Sequence, residues 1–210
     1  MAYSKNFKTS TARFANVAFS NGSLLDGHLQ RIFKNQPLSC PSDIKRFFVS
    51  PEESGQICLL ATFLSNSGEI FFPKFDFEKD QIYFKDITIK FIEALGLKPE
   101  ICNSETEAIE KCNNLQNYYP VYFFNSDTSG EKPYEEFYTE NENPDFNSFE
   151  SLGKISAEIP DLNSTLESIE NIKSIFESNQ IKKADIVSKI KNYLPGFSHI
   201  ETGKGLDQSM

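Results

Sequence analysis

The sequence predicts an α/β fold. Three observations carry that reading. Short apolar runs rich in aromatic and β-branched residues alternate with amphipathic stretches along the first half of the chain. Two of the amphipathic stretches open on Ser-x-x-Glu capping signals. The first apolar run, residues 11–19, ends in Ser-Asn-Gly-Ser, as a buried strand does when it delivers polar groups to a loop. The second half is richer in helix, so the class is α/β or α+β.

The elements follow in order. Residues 11–19 (TARFANVAF) read as a strand, apolar after a polar lead. Leu24 to Lys34 reads as a helix with Leu25, Leu29, Ile32 and Phe33 on one face, ended by Pro37. Residues 45–50 (KRFFVS) are a short strand. It feeds a helix in which Ser50 is the N-cap, Pro51 takes the first helical position and Glu53 completes a capping box. Residues 68–75 (GEIFFPKF) are a strand, and residues 84–96 an amphipathic helix closed by Gly96. A second capping box, Ser104 to Glu107, starts a helix over 104–115. Residues 118–124 (YYPVYFF) are a strand followed by a turn-rich loop, 125–133. The acidic, Asn-rich stretch 138–153 reads as irregular. Leu162 to Phe176 and Lys183 to Leu194 read as two further helices before a C-terminal tail. No internal repeat is visible, and the chain looks short of strands.

Composition narrows the function. The net charge of -9 argues against tight binding to nucleic acid or to an anionic membrane. A phosphate ligand would need a local basic spot within that negative field. No apolar run reaches the ~20 residues of a membrane helix, and the first residues lack the apolar core of a signal peptide. The expected compartment is the cytoplasm. The four Cys are not spaced as CxxC and only two His are present, which points to reduced thiols rather than a zinc site. The chain holds 20 Phe and no Trp.

Three places could carry chemistry. Asn16 ends an apolar strand, where it caps a loop or meets a ligand at the carboxyl end of a parallel strand. The Asn21-Gly22 step after it favours a tight turn with exposed backbone N–H groups suited to phosphate. Arg46 stands before a capped helix in an acidic chain, as a surface ion pair or as a bidentate phosphate grip. In residues 129–137 (SGEKPYEEF), Glu131, Glu135 and Glu136 read as a solvated acidic face, with Glu131 alternatively placed on a ribose diol. Other motifs fail. Residues 141–150 lack the glycine of an EF-hand. His28 and His199 have no neighbouring triad partners. No GxGxxG or GxxxxGK loop is present.

Taken together, RFANVAFSNGSLL (13–25), DIKRFFVSPEES (43–54), GEIFFPK (68–74), SGEKPYEEFYTENE (129–142) and HIETGKGLDQSM (199–210) resemble the C-terminal half of extended short-chain dehydrogenase/reductases. The subgroup they resemble is that of the UDP-N-acetylglucosamine 4,6-dehydratases of bacterial surface-polysaccharide synthesis, of the legionaminic-acid type. The resemblance runs from about residue 10 to the C-terminus.

The resemblance implies the C-terminal part of an extended Rossmann-fold dehydratase: the last sheet strand plus an α/β substrate-binding domain, with the N-terminal dinucleotide-binding half missing. It implies three segments: 1–23, the end of the Rossmann portion; 24–153, the substrate-binding domain; and 154–210, C-terminal helices and tail. It places Asn16, Ser20, Asn21, Gly22, Ser23, Arg46 and Glu131 at the sugar nucleotide, with Arg46 on the diphosphate and Glu131 near the ribose. It places Phe14 and Val17 beside the nicotinamide of NADP or NAD. Relatives carry an Arg where this chain has Thr128.

In the family, the cofactor takes a hydride from C4, a base removes the C5 proton, water leaves from C6 and the hydride returns to C6. The catalytic lysine lies in a YxxxK or MxxxK motif expected upstream of Met1, so no catalytic residue is expected here. Tyr3-Ser4-Lys5 has the wrong spacing. The expected partners are a UDP-sugar and a Rossmann half chain or a second copy, with no nucleic acid and no membrane span. The chain alone is expected to be inactive and, with 11–19 lacking its sheet neighbours, poorly soluble. Two other readings stay open: a docking subunit of a split epimerase or dehydratase, and a non-enzymatic interaction protein.

Overall fold

The computed structural model describes residues 7–126, 134–157, 161–177, 182–194, 196, 197 and 199. The α/β class holds, but the first strand differs from expectation. Residues 11–19 split in two. β1 (Thr11–Ala12) runs parallel to the later segment Glu69–Pro73, with Thr11 opposite Ile70 and Ala12 opposite Phe71. β2 (Asn16–Val17) runs parallel to Phe48–Val49. The neighbours of this strand therefore lie within the chain, downstream. Parallel partners require a crossover connection, so nothing in local periodicity shows them.

The run 45–50 splits by the same logic. β3 (Leu38–Pro41) precedes it. β4 (Lys45–Arg46) pairs antiparallel with the segment Ile82–Tyr83, whereas β5 (Phe48–Val49) pairs with β2. Between them Phe47 is fully buried and acts as the pivot.

The capping signals set the helices. In α1 (Leu24–Phe33), Ser23 is the N-cap and its Oγ accepts from the Asp26 N–H. In α2 (Pro51–Leu64) the box is complete. The Glu53 N–H donates to Ser50 Oγ at 3.1 Å and the Ser50 N–H donates to Glu53 Oε2 at 2.6 Å. Ile57 and Ala61 are the residues of α2 that are buried, and the helix packs on β1 and on β6 (Glu69–Pro73). After β7 (Ile82–Tyr83), α3 (Phe84–Ala94) stops at Gly96, whose φ of 76° suits glycine.

Further on, β8 (Lys98–Cys102) leads to α4 (Glu105–Lys111). Its expected box is only half formed. Ser104 caps the helix, but Glu107 accepts from the Asn103 N–H at 2.8 Å instead of that of Ser104.

The strand expected at 118–124 forms, but its sheet neighbours carry no legible signal. β3, β9 (Tyr118–Phe124) and β8 form a parallel sheet in the order β3-β9-β8. β3 and β8 are its edges and each contains a proline, which weakens the strand signal and is tolerated at an edge. β10 (Leu152–Ser156) starts within the stretch expected to be irregular and pairs antiparallel with β6. Gly153 is required there, because a Cβ would run into the Phe72 ring.

The phenylalanines fill the core. Phe47 stacks on Phe75 at 4.8 Å between ring centroids and meets Phe77 edge-on at 5.3 Å and Phe137 at 5.3 Å. Aromatic packing of this kind supplies area and some directional preference without Trp.

These elements, from Thr9–Ser126 and Lys132–Ala157, form one compact unit. A second unit holds α5 (Leu162–Phe176) and α6 (Lys183–Tyr193), both as expected. They pack against each other, with Asn171 Nδ2 donating to the Tyr193 hydroxyl at 2.9 Å. No described helix is long and apolar enough to cross a membrane.

Candidate functional site

The chain changes sheet twice at nearly the same place. The backbone of 11–18 leaves β6 after Arg13, whose N–H donates to the Phe71 carbonyl at 2.8 Å, and joins β5 at Asn16. The backbone of 45–49 leaves β7 after Arg46 and joins β2 at Phe48. Diverging strands of this kind leave a crevice at their ends. A cavity of about 370 Å³ lies there, lined by Arg13, Arg46, Tyr134, Glu135, Glu136, Phe137, Tyr138 and Thr139.

The segment 134–142 is tied to this place by charge. Arg13 forms a two-point pair with Glu142, Nη2 to Oε1 at 2.6 Å and Nη1 to Oε2 at 2.9 Å, and Nη1 also donates to the Phe137 carbonyl at 2.7 Å. The Thr139 N–H donates to Glu142 Oε2 at 2.8 Å. Hydrogen bonds from Arg13, then from Thr139, hold the Glu142 carboxyl down at about 2.

Arg46 is half-buried. Its Nη1 donates to the Lys45 carbonyl at 2.7 Å, and its guanidinium lies over the Phe84 ring at 5.8 Å. Rigid elements on both sides thus fix where this planar donor points.

Glu135 is the residue that the sequence does not single out. It was expected on a solvated acidic face with Glu136, but it is half-buried, and its Oε2 is buried with no hydrogen-bond partner. Burial raises its carboxyl above the ordinary range, opposed by the Arg46 charge and by the Phe47 N–H. A partly desolvated carboxyl beside a fixed guanidinium can offer a polar ligand both an acceptor and a bidentate donor.

Asn16 sits at this same switch, half-buried in β2, with its N–H donating to the Phe47 carbonyl at 3.0 Å. Phe14 packs against Ile57, Ala61, Phe71 and Leu152, and Val17 packs against the cluster of Ala15, Phe47, Val49 and Phe72. Both are partly buried, so core packing accounts for part of each.

Ser20, Asn21, Gly22 and Ser23 form the turn into α1. Within this turn the Gly22 N–H donates to Asp26 Oδ2 at 3.2 Å. A carboxylate in that position repels an anion. Ser20 Oγ is turned back onto the Val17 carbonyl at 2.9 Å. Glu131 and Thr128 lie outside the described residues.

A dinucleotide finds no cradle among the described residues. The glycine-containing turn that opens a helix is this one, and it is closed by Asp26. Among the described residues no cluster of His, Cys, Asp and Glu could hold a metal ion. The four cysteines are free thiols. Burial pushes Cys40 up to about 11 and leaves it a poor nucleophile.

Residues 1–157 match the family model described as polysaccharide biosynthesis protein. The X-ray structure of Pen from Bacillus thuringiensis shares the fold, with a TM-score of 0.55 and 21% identity over 75% of this chain. The chain spans 42% of the length of that structure. Nothing among the curated proteins matches.

Proposed function

The chain belongs to the polysaccharide biosynthesis protein family, and on that premise we propose that it is the nucleotide-sugar-binding portion of an epimerase or 4,6-dehydratase. The observation that carries this reading is the cavity at the strand switch, with Arg13, Arg46 and the under-satisfied Glu135 on its walls. In a chain of net charge -9, Arg46 is the cation that this lining offers a diphosphate, beside the Glu135 and Glu136 carboxyls.

In this reading Arg46 grips the diphosphate. The raised Glu135 carboxyl meets a hydroxyl of the ligand, and Asn16, the first residue of β2, is assigned to the sugar by the sequence resemblance. The sequence resemblance assigns Glu131 to the ribose. The hexosamine class, a UDP-N-acetylhexosamine, rests on the sequence resemblance. Arg13 is engaged by Glu142 and the Phe137 carbonyl, so its task is to hold the 134–142 segment against the cavity.

The cofactor, NADP or NAD, is held in this proposal by a dinucleotide-binding portion that the described residues do not form. By the sequence resemblance, Phe14 and Val17 would border the nicotinamide. No step of the reaction is assigned to residues of this chain, whose part is to bind and orient the sugar nucleotide.

The test is reconstitution. The chain incubated with UDP-N-acetylglucosamine and NADP is expected to give no keto-sugar. Addition of the dinucleotide-binding portion of a related dehydratase is expected to restore turnover, with Arg46→Ala raising KM more than it lowers kcat. Turnover by the chain alone, or none after binding of both portions is demonstrated, would overturn the reading.

A further inference from the structure

The C-terminal helical pair lies beyond the residues that match the family, and its surface carries a pattern that the proposed function does not use. In α5 the residues Leu162, Leu166, Ile169, Lys173 and Phe176 recur in alternate steps of four and three. That is a heptad seam, the spacing at which one helix packs along another. It is not the seam that meets α6. That contact uses the face of Asn171, which reaches Tyr193, and of the half-buried Ile172, with Ile186, Val187 and Ile190 half-buried on α6.

The second seam is exposed. Leu162 is 43%, Leu166 51%, Ile169 53% and Phe176 59% accessible. Neither α5 nor α6 has a buried residue. The two helices, 15 and 11 residues long, leave this seam unburied. An apolar helix face left open in this way calls for a cover.

We propose that the cover is a second copy of this chain, with α5 pairing antiparallel to α5 of the partner in an isologous dimer. Charge decides both the occupant and the direction. Lys173 is the one cation in the seam, and Glu170 and Glu177 flank it, at 3.7 Å and 4.0 Å within the helix. A parallel pair would stack Lys173 on Lys173 of the partner subunit. The antiparallel register stacks Leu166 on the partner's Phe176 and lays the Lys173 methylenes over the partner's Ile169. Each ammonium then lies beside the partner's Glu170. The seam is thus complementary to itself, as a two-fold interface requires, and Lys173 specifies orientation as a polar seam residue does. With two heptads the contact is short, so the dimer is reversible and depends on concentration.

Sedimentation equilibrium of the full chain over a wide concentration range tests this. The wild type is expected to show a monomer–dimer equilibrium. Ile169→Glu and Leu166→Glu are each expected to weaken it at least tenfold, with the melting transition of the remainder unchanged. Lys173→Glu should weaken it, and the exchanged pair Glu170→Lys with Lys173→Glu should restore it, which loss of folding could not mimic. A wild type that stays monomeric at all concentrations, as when the seam docks within its own chain, overturns the proposal. A dimer that survives Ile169→Glu, as when the exposed apolar side of α2 makes it, overturns it as well.

Discussion

Arg13 and Glu142 meet through two hydrogen bonds, 2.6 Å and 2.9 Å, although they stand 129 positions apart. The pair fastens the segment after the 127–133 stretch to the first strand, and so builds the wall of the cavity. The Glu142 carboxyl is held at about 2, below its ordinary 4.5. A lowered carboxylate stabilises the fold above its unfolded value, and that contribution is lost as pH falls from about 4.5 to about 2. Glu142→Gln is expected to cost about 1–2 kcal/mol at neutral pH, after discounting for partial exposure. Chemical denaturation should show the gap between wild type and variant closing below about pH 3. A gap that is constant with pH would remove the ion pair from this account.

His28 acts in the same direction, in a higher pH window. It is buried on α1, with Nε2 at 2.8 Å from the Thr88 hydroxyl, and burial, then the Arg31 charge, lowers it to about 4. The unfolded chain takes up this proton near 6.5 and the folded chain does so only near 4, so folding loses stability as pH falls between the two. The slope is expected to weigh up to about 3 kcal/mol at its end. It should be absent from a His28→Gln variant in urea titrations at pH 7, 5.5 and 4.5. Parallel curves for the two proteins would show that His28 protonates normally in the fold.

Gly153 lies in β10 against the Phe72 ring. Gly153→Ala is expected to cost about 1–3 kcal/mol, because the added methyl must displace a ring that is itself packed on Phe137 and Tyr138. Thermal unfolding checks this. An unchanged Tm would mean that the β6–β10 pairing is looser than described.

Glu135 is held at a cost. Its raised carboxyl is disfavoured as the anion, so it detracts from stability at every pH above its unfolded value. Glu135→Gln is expected to gain about 1 kcal/mol at neutral pH while weakening ligand binding. A variant that is both less stable and equally competent in binding would place Glu135 in the fold rather than in the site.

Much of this architecture is legible in the chain because it is local. Ser50, Pro51 and Glu53 announce α2 with their own side chains, and the spacing of Leu162 to Phe176 gives α5. What stays hidden is non-local. Thr11–Ala12 and Asn16–Val17 find parallel partners only after a crossover, and Leu38–Pro41 and Lys98–Cys102 are short edge strands with prolines. The site divides in the same way. Arg46 stands out as a cation before a capped helix. Glu135 looks like one more acid in an acidic run, and only burial at the strand switch separates it from Glu136. Arg13 gives no sign that its partner is Glu142. Nor does the Ser20–Ser23 turn announce that the Gly22 N–H donates to Asp26, four residues beyond it.

The proposed function requires the cavity lined by Arg46 and Glu135 to bind the diphosphate of a sugar nucleotide. Isothermal titration of the chain with UDP-N-acetylglucosamine, beside uridine and the Arg46→Ala variant, tests it most directly. Saturable 1:1 binding is expected, which Arg46→Ala weakens at least tenfold, about 1.4 kcal/mol, and which uridine does not reproduce. Binding that is indifferent to Arg46, or no binding at millimolar ligand by a folded chain, would contradict it.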